Sequence, residues 1–404
     1  MFDCVACQPI FNTKKDIYGY ELLYRADVSS EKYDATDGSS ATRDVLVTAF
    51  SDIGIDKITG GKKAFVNFTS DLILEELPLI IPSRILVVEL LEDIQPTEEM
   101  LMACTRLKER GYIIALDDFI YTEGYEPLIE LADIIKVDFL NSSEGYIGDL
   151  AKKVKSNPRK VLLAEKIETY EAFEMARALG FTLFQGFFFC KPAIATSSRV
   201  DAMRLSKLQL IRSIADPEIN FADLAEIIKR DVVLSYRLLK IVNSAYYGLN
   251  YSVTGILHAL TILGLNDIRK WVSLIVLNQT KSSKPSELIR MALIRGIFME
   301  SLARNINEYR SAESYFLIGL FSLADAIMDV SIETIMKETH LSSEISEPLI
   351  TQKGEKAELL QIIKHIERAE WDEAMEICNK YNIDGDKVYK LYVEAIINAN
   401  KLLK

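Results

Sequence analysis

Several residue types are scarce in this chain of 404 residues. Five cysteines, an odd and sparse set for a chain of this size, are typical of a reducing compartment, so we expect a cytoplasmic protein. With only 18 glycines and 10 prolines, long flexible linkers are not expected. At roughly 100–200 residues per domain, the chain is too long for one ordinary domain.

Long apolar runs and surplus positive charge are also missing. No run approaches the roughly 20 apolar residues that a membrane span requires, and the start has no basic region before an apolar stretch. We therefore expect neither a membrane segment nor a signal peptide. Lysine and arginine number 47 against 59 acidic residues, a net charge of −12. Because binding polymeric nucleic acid needs a surplus of cations, we expect no such partner.

Cys4 and Cys7 have the spacing of a redox pair or of half a metal site. The sequence holds no second CxxC pair, and no histidine lies nearby. We therefore prefer the alternative of two unlinked thiols on a short strand.

The first 190 residues repeat one unit: a short apolar run, a polar residue and an amphipathic stretch. Eight such runs occur, at 5–11, 17–24, 64–68, 85–91, 112–116, 134–137, 161–164 and 182–189. Helical patterns lie between most of them, for example 97–110 and 170–179. This alternation predicts a small closed α/β barrel of the TIM type. The first two runs are joined by a few residues, so we expect those strands to be antiparallel.

Polar residues recur in or just past the ends of these predicted strands. They are Glu21, Asn67, Glu89, Asp117, Asp118, Lys136, Asp138, Glu165 and Gln185. In a barrel, the ends of the strands converge on one rim, where active sites are built. We therefore expect these side chains to meet at a single mouth.

The residue types at this mouth indicate metal and phosphate chemistry. Carboxylate and amide oxygens suit hard divalent ions such as Mg²⁺, Mn²⁺ or Ca²⁺, and crowded carboxylates repel one another without a cation. Together with Lys136, such an ion would suit a phosphate substrate, since the ion activates water and lysine offsets charge. The alternative is that these residues are helix caps or acids paired with Lys and Arg.

Seven motifs in this half resemble those of the EAL domain, the bacterial phosphodiesterase fold for cyclic di-GMP. In family order they are Glu21-Leu22-Leu23-Tyr24-Arg25, Phe65-Val66-Asn67-Phe68-Thr69, Glu89-Leu90-Leu91-Glu92, Leu116-Asp117-Asp118-Phe119, Ile135-Lys136-Val137-Asp138, Ala164-Glu165-Lys166-Ile167-Glu168 and Gln185-Gly186-Phe187-Phe188. The resemblance covers about residues 1–195. It implies a metal-dependent enzyme that hydrolyses one phosphodiester of the cyclic dinucleotide to give linear pGpG.

The resemblance also implies a role for each matching residue. Glu21, Asn67, Glu89 and Asp117 would hold the first divalent ion, Mg²⁺ or Mn²⁺. Asp118 would help hold a second ion, and Glu165 would assist at the metal. Lys136 would orient the water. Gln185 would complete the pocket, and Arg25 would contact a phosphate.

The sequence departs from the family pattern at several supporting positions. Ile120 stands where the family has the first glycine of a loop that shapes the second metal site and a homodimer contact. Lys166 replaces the glycine of Ala-Glu-Gly, Leu91 replaces a threonine, and Lys191-Pro192 replaces Arg-Pro.

After about residue 195, strand patterns give way to helical ones. Asn220 is the predicted N-cap of a helix over 221–230. Further helices are predicted at 232–243, 254–263, 267–279, 287–307, 312–328, 355–367, 371–381 and 387–403, and a helix over 199–211 is predicted at the junction. We therefore predict two domains, 1–197 as the barrel and 198–404 as an all-α domain.

The all-α half resembles the HD-related output domain, HDOD. Tyr236–Ala245, Ala259–Gly264 and Arg269–Trp271 carry the resemblance. Metal-dependent HD phosphohydrolases have an adjacent His-Asp pair, whereas the equivalent stretch here, Gly319–Asp325, has no histidine. The three histidines of the chain are too scattered to replace it, so we interpret this half as a non-catalytic module that binds a protein partner.

Two hypotheses remain open from the sequence. In the first, a non-enzymatic or nearly inactive signalling protein binds cyclic di-GMP or a partner through the barrel. In the second, a working phosphodiesterase is regulated by the helical domain. The altered loop around Ile120 favours the first.

Overall fold

The computed structural model describes most of the chain. The described residues are 4–25, 54–119, 121, 124–155, 157–190, 212, 216, 218–229, 238, 241–242, 253, 255–278, 285–309, 311–339 and 341–403. The predicted junction helix at 199–211 and most of Tyr236–Ala245 lie outside them. Contacts divide the chain into two compact units, Met1–Lys191 with Gln361–Lys404, and Pro192–Leu360.

Eight strands close into a barrel in chain order, as the alternating pattern predicts. They are β1 (Cys4–Asn12), β2 (Ile17–Arg25), β3 (Lys63–Phe68), β4 (Leu86–Leu90), β5 (Ile113–Leu116), β6 (Ile134–Asp138), β7 (Val161–Glu165) and β8 (Leu183–Gln185). Strands β2 to β8 pair in parallel with their neighbours in sequence. Their carboxyl ends therefore share one rim.

Strand β1 runs against both of its neighbours. It pairs antiparallel with β2 across a tight turn and antiparallel with β8, which closes the barrel. The Asn12 side chain accepts hydrogen bonds from the backbone N–H groups of Lys14 and Asp16, at 2.8 and 3.0 Å, and so fixes the turn. The expected antiparallel start of the barrel is confirmed.

The barrel interior is filled by apolar side chains from successive strands. Ile10, Phe65, Val87, Ala115, Ile134, Leu163 and Leu183 form one buried cluster. Successive side chains of a strand point to opposite faces, so the residue two positions further along each strand also faces the interior. In β3 this residue is Asn67 and in β4 it is Glu89. The apolar core therefore positions polar side chains directly above it.

Helices cover the outside of the barrel between the strands. They are α1 (Ile55–Thr59), α2 (Ser70–Leu74), α3 (Glu98–Glu109), α4 (Glu126–Leu131), α5 (Glu144–Lys155) and α6 (Tyr170–Leu179). Thr97 and Thr169 cap α3 and α6 by accepting from the N–H groups of Met100 and Ala172. Short 3₁₀ helices follow at Leu77–Ile80 and Phe188–Cys190.

The described residues from 218 onward contain helices and no strands. These helices are α7 (Phe221–Lys229), α8 (Ile256–Asn278), α9 (Glu287–Asn305), α10 (Ala312–Phe321), α11 (Ala324–Met328), α12 (Ile332–Thr339), α13 (Ser343–Thr351), α14 (Glu355–Glu367), α15 (Trp371–Lys380) and α16 (Gly385–Leu402). Asn220 caps α7 as predicted, accepting from Ala222 and Asp223 N–H at 2.9 Å each. No described helix has the combination of length and apolar content needed to cross a bilayer.

The helices predicted over 254–263 and 267–279 correspond to the two parts of α8, which breaks at Gly264 (φ 77°, ψ 156°). Two other predicted elements differ from the structure. The strand predicted over 182–189 ends at Gln185, because Gly186 has φ 142° and turns the chain into the 3₁₀ helix. The helix predicted over 312–328 is two helices. The Ser322 hydroxyl between them donates to Gly319 O at 2.7 Å and accepts from the Arg295 guanidinium at 3.1 Å.

The last helices belong to the same compact unit as the barrel. Helix α16 packs on α1 and β1, and the Asn400 side-chain amide donates to Lys57 O and Ile58 O at 2.7 and 3.1 Å. Because these carbonyls lie in the last turn of α1, Asn400 satisfies acceptors that the helix leaves open. The domain boundary at 197/198 stays a prediction. Residues 361–404, which the sequence places in the all-α domain, form one compact unit with the barrel.

We predict that the packing of α16 stabilises the barrel unit. Ile396 is 1% exposed, and Ile396→Ala is expected to lower the free energy of unfolding by about 2–5 kcal/mol through the cavity it leaves. The adjacent Ile397 is partly exposed, so Ile397→Ala should have a much smaller effect. Urea unfolding of both variants checks this, and equal losses would contradict it.

Candidate metal centre

The polar residues at the strand ends meet at the carboxyl-terminal mouth of the barrel. Glu89, Glu165 and Gln185 lie next to or at the carboxyl ends of their strands, whereas Glu21 and Lys136 lie in the middle of β2 and β6. One further carboxylate, Asp117, follows β5 directly. Its N–H donates to Leu90 O at 2.9 Å, which continues the β4–β5 ladder to the rim. The barrel register therefore brings together side chains that are distant in the sequence.

Lys136 lies at the centre of four carboxylates. Its ammonium is 2.5 Å from Asp117 Oδ1, 2.7 Å from Glu89 Oε1, 2.8 Å from Glu165 Oε1 and 3.4 Å from Glu21 Oε1. The side chains of Lys136 and Glu89 are fully buried, and Asp117 is the most exposed of the group at 14%. We call these four acids the carboxylate cage.

Burial and charge act on the pKa values of the cage in opposite directions. Burial raises the pKa of Glu89 well above its usual value, and the Glu21 and Asp117 charges add to the rise, against the lowering effect of Lys136. Burial likewise raises the pKa of Glu165. Burial acts to lower the pKa of Lys136, but the four carboxylates outweigh it and raise that pKa. Lys136 therefore stays a cation, while burial of several acids around one lysine penalises their negative charge.

Three cage carboxylates are spaced for a divalent cation. One oxygen each from Glu21, Glu89 and Asp117 lies within 4.8 Å of the other two. Asn67 pairs in register with Glu89, and its side chain faces the same interior. Asn67 Oδ1 and Glu89 Oε2 are buried and accept no hydrogen bond from the described residues. Buried acceptors without donors are costly, and a bound cation would satisfy them.

The donor set fits a hard divalent ion. Glu21, Asn67, Glu89 and Asp117 offer only oxygen atoms, which Mg²⁺, Mn²⁺ and Ca²⁺ prefer over the nitrogen and sulfur ligands typical of zinc or copper. These are the four residues that the family resemblance gives to the first ion. The alternative of helix caps does not apply to the cage, whose members bind Lys136. The other alternative, acids paired with Lys or Arg, holds in part, because all four cage acids contact the ammonium of Lys136.

Gln185 ties the last strand to the cage. Its amide donates to Glu21 Oε2 at 2.5 Å and to Gln8 Oε1 at 2.9 Å. Gln8 pairs in register with Glu21 across the β1–β2 hairpin. The sequence interpretation gave Gln8 no role, although a polar residue inside the apolar run 5–11 was the available signal.

Asp118 is bound by a different lysine from the cage acids. Its Oδ2 accepts from the Lys166 ammonium at 3.3 Å, and the same ammonium is 2.6 Å from Asp138 Oδ2. Neither Lys166 nor Asp138 received a functional role from the sequence. Both Asp118 and Lys166 have positive φ, 38° and 53°.

A cavity opens beside the cage on the β4–β5 side. Asp117, Asp118 and Glu92 form the acidic part of its wall, and most of the rest is apolar, including Leu90, Leu116 and Phe119. An apolar recess next to carboxylates is the usual construction of a small-ligand site, in which apolar walls bind and polar groups orient.

Two further sequence predictions fall wholly or partly outside the described residues. Arg25 ends β2, but its side chain is not among those described. Ile120, Thr122 and Glu123 of the altered loop lie outside as well. In the N-terminal CxxC pair, Cys7 is buried and forms no disulfide.

We predict that Gly186 is required for the shape of the mouth. A Cβ at this position would lie 2.2 Å from Ile167 O, and the φ of 142° is unfavourable for other residues. Gly186→Ala should lower the free energy of unfolding by about 2–4 kcal/mol through strain and overpacking. A Cβ on Gly148 of α5 meets nothing within 4 Å, so Gly148→Ala is the matched control and should not destabilise. Equal urea midpoints for the two variants would contradict this prediction.

Comparison with known proteins identifies both halves of the chain. The EAL domain family matches residues 3–192, and the HDOD domain family matches residues 205–365. The uncharacterized protein YuxH of Bacillus subtilis is 36% identical over 407 residues, covering 99% of this chain and 98% of that protein. This chain belongs to the EAL–HDOD family.

Other similar proteins include one with a named activity. The cyclic di-GMP phosphodiesterase CdgJ of Vibrio cholerae is 33% identical and covers 97% of this EAL–HDOD chain and 91% of that protein. The solved structure of Klebsiella pneumoniae BlrP1 with calcium and cyclic di-GMP is 21% identical, with a TM-score of 0.40, over 47% of this chain and 55% of that chain.

Proposed function

We propose that this EAL–HDOD protein is a cyclic di-GMP phosphodiesterase that depends on Mg²⁺ or Mn²⁺ and releases linear pGpG. The observation that carries the proposal is the group of Glu21, Glu89 and Asp117 oxygens within 4.8 Å of one another. Asn67, the register partner of Glu89, adds a buried Oδ1 to which no described residue donates. The relative CdgJ, which is named as a cyclic di-GMP phosphodiesterase, supports the choice of substrate.

A bound ion would polarise the phosphate of the substrate and activate a water molecule at the mouth. Lys136 contributes a fixed positive charge, because the carboxylates around it keep its ammonium protonated. It therefore orients oxygens and offsets charge rather than accepting a proton. The reaction adds the water oxygen to phosphorus, breaks one phosphorus–oxygen ester bond and leaves a hydroxyl on the departing ribose.

We assign to Glu165 the uptake of the proton that the attacking water loses. Its Oε1 is held by Lys136 at 2.8 Å, whereas its buried Oε2 accepts no hydrogen bond from the described residues. Because Lys136 holds Oε1, the proton would be taken up by Oε2, which has no other hydrogen-bond partner among the described residues. Gln185 fixes Glu21 in a similar manner through its 2.5 Å bond.

The test is direct hydrolysis by the purified full chain. With cyclic di-GMP and Mn²⁺ or Mg²⁺, we expect chromatography to show linear pGpG, and a chelator should stop its formation. Glu21→Ala should abolish product. Glu171 is exposed on α6, so Glu171→Ala is the matched control and should retain activity. Binding of the nucleotide without product would favour the second candidate function.

That second candidate is a non-catalytic cyclic di-GMP receptor. Lys166 favours it, since its ammonium contacts Asp118, the residue expected at a second metal ion. A receptor would show nucleotide binding by calorimetry that is retained in the Glu165→Gln variant, with no linear product from either protein.

We further propose that the HDOD half is an interaction module without hydrolytic chemistry. In the stretch that corresponds to the missing His-Asp pair, a Cβ on Gly319 would lie 2.3 Å from Arg295 O. The Arg295 side chain is buried and donates to Ser322. Packing between α9 and α10 therefore fills this region. The protein partner and a homodimer both remain predictions.

A further inference from the structure

Lys166 adopts a backbone conformation that favours glycine. It directly follows β7, and its φ of 53° lies in the left-handed region, which L residues with a Cβ adopt only under strain. The neighbouring Ile167 N–H donates to Gln185 O at 2.9 Å, and Ile167 O accepts from Phe188 N–H at 3.0 Å. These bonds hold the loop in place, so the strain at Lys166 is fixed by the fold.

The side chain of Lys166 makes contacts that offset this strain. Its ammonium reaches along the rim, over the neighbouring strands, to Asp138 Oδ2 at 2.6 Å and Asp118 Oδ2 at 3.3 Å. The two acids follow or end different strands, β5 and β6, and Lys166 follows a third. We call this arrangement the Lys166 bridge.

Asp138 is held rigidly within the Lys166 bridge. Its Oδ1 accepts from the N–H groups of Leu140 and Asn141 at 2.7 and 2.9 Å, and its Oδ2 accepts from the Asn141 amide at 2.7 Å. With the lysine bond, its two oxygens accept four donors. Little acceptor capacity therefore remains for a metal ion.

Asp118 retains one oxygen outside the Lys166 bridge. Asp118 Oδ1 is buried and accepts no hydrogen bond from the described residues. One oxygen beside an ammonium is a poor site for a doubly charged ion, since the ammonium repels the ion and already binds the neighbouring acid. The Lys166 bridge thus does not fit a second divalent ion, in contrast to the fit of the cage.

We propose that the Lys166 ammonium occupies the position of a second cation, so that this site binds one divalent ion where a two-ion site would otherwise form. The inference rests on the proposed function in that the first ion is held by Glu21, Asn67, Glu89 and Asp117. It deepens that function, because one side of the reacting phosphate then faces a tethered single charge.

The test counts Mn²⁺ ions bound per chain by equilibrium dialysis of the full-length protein. We expect one ion for the unaltered protein and two for Lys166→Gly, since glycine removes both the charge and the strain. Lys166→Arg keeps the charge and should bind one. The two ions in Lys166→Gly should also give the electron paramagnetic resonance signal of an exchange-coupled manganese pair.

A matched control exists in the β1–β2 turn. Lys15 also has a positive φ, 64°, and lies where β8 begins, at the other end of the barrel. Lys15→Gly makes the same chemical change and should bind one ion. The inference is overturned if Lys166→Gly binds no more Mn²⁺ than the unaltered protein, or if its extra ion shows no coupling. A different result, no ion on the unaltered protein, would instead remove the proposed function.

Discussion

Glu89→Gln is expected to weaken Mn²⁺ binding by about 100-fold or more and to lower cyclic di-GMP hydrolysis by about 1000-fold, near 4 kcal/mol of transition-state stabilisation. Glu89 is fully buried in β4 and belongs to the cation-binding group. The amide keeps the size of the side chain and removes its charge. Calorimetric titration with Mn²⁺ and the product assay together measure both effects.

The same change should leave the metal-free fold intact. Burial and the nearby Glu21 and Asp117 charges raise the pKa of Glu89, so the metal-free barrel penalises its negative charge, and glutamine removes that charge. The urea midpoint without metal should therefore be unchanged or higher. Glu171→Gln, on the exposed surface of α6, is the control for both measurements. Undiminished Mn²⁺ affinity in Glu89→Gln would contradict the assignment of this ligand.

Lys136→Met is expected to have the opposite effect on the metal-free fold. Without the ammonium, the buried carboxylates of Glu21, Glu89 and Glu165 face one another with no cation between them. Breaking a buried ion pair costs about 3–5 kcal/mol, and the stability of the barrel should fall by that order. Hydrolysis should fall by about 100- to 1000-fold, as on removing one preorganised donor to a transition state.

Added Mn²⁺ should restore much of the stability of Lys136→Met, because the ion replaces the lost positive charge. The unfolding midpoint of this variant should rise with Mn²⁺ more steeply than that of the unaltered protein. Lys152, an exposed lysine of α5 paired with Asp149, gives the control Lys152→Met. A metal-free Lys136→Met protein as stable as the control would show that the cage does not need its central cation.

The strand order and the polar rim of the barrel could be predicted because both depend on local patterns. A buried strand leaves a short apolar run, and the residue after it reaches the rim whatever the rest of the chain does. Asp117 was therefore recognisable from its position after a strand, and Glu21, Glu89 and Lys136 stood out as polar residues inside apolar runs. Neighbouring strands in a parallel barrel also follow sequence order, so the convergence of these residues required no knowledge of distant contacts.

The contacts of individual side chains and the packing of elements that are distant in sequence could not be predicted. Lys166 stood out only as a replaced glycine, since no pattern shows that its ammonium would reach Asp118 and Asp138. The apolar stripe of α16 predicted a helix, but not that it packs on α1 and β1. The run 182–189 was too apolar to reveal that Gly186 ends the strand, because a buried 3₁₀ helix has a similar composition.

A crystal of the full chain grown with Mn²⁺, measured at the manganese absorption edge, tests the metal centre most directly. The account predicts one anomalous peak at roughly 2.0–2.3 Å from oxygens of Glu21, Asn67, Glu89 and Asp117. It predicts no peak between Asp118 and Asp138, where the Lys166 ammonium lies. A manganese ion anywhere but among those four side chains, or none in the barrel, would contradict it.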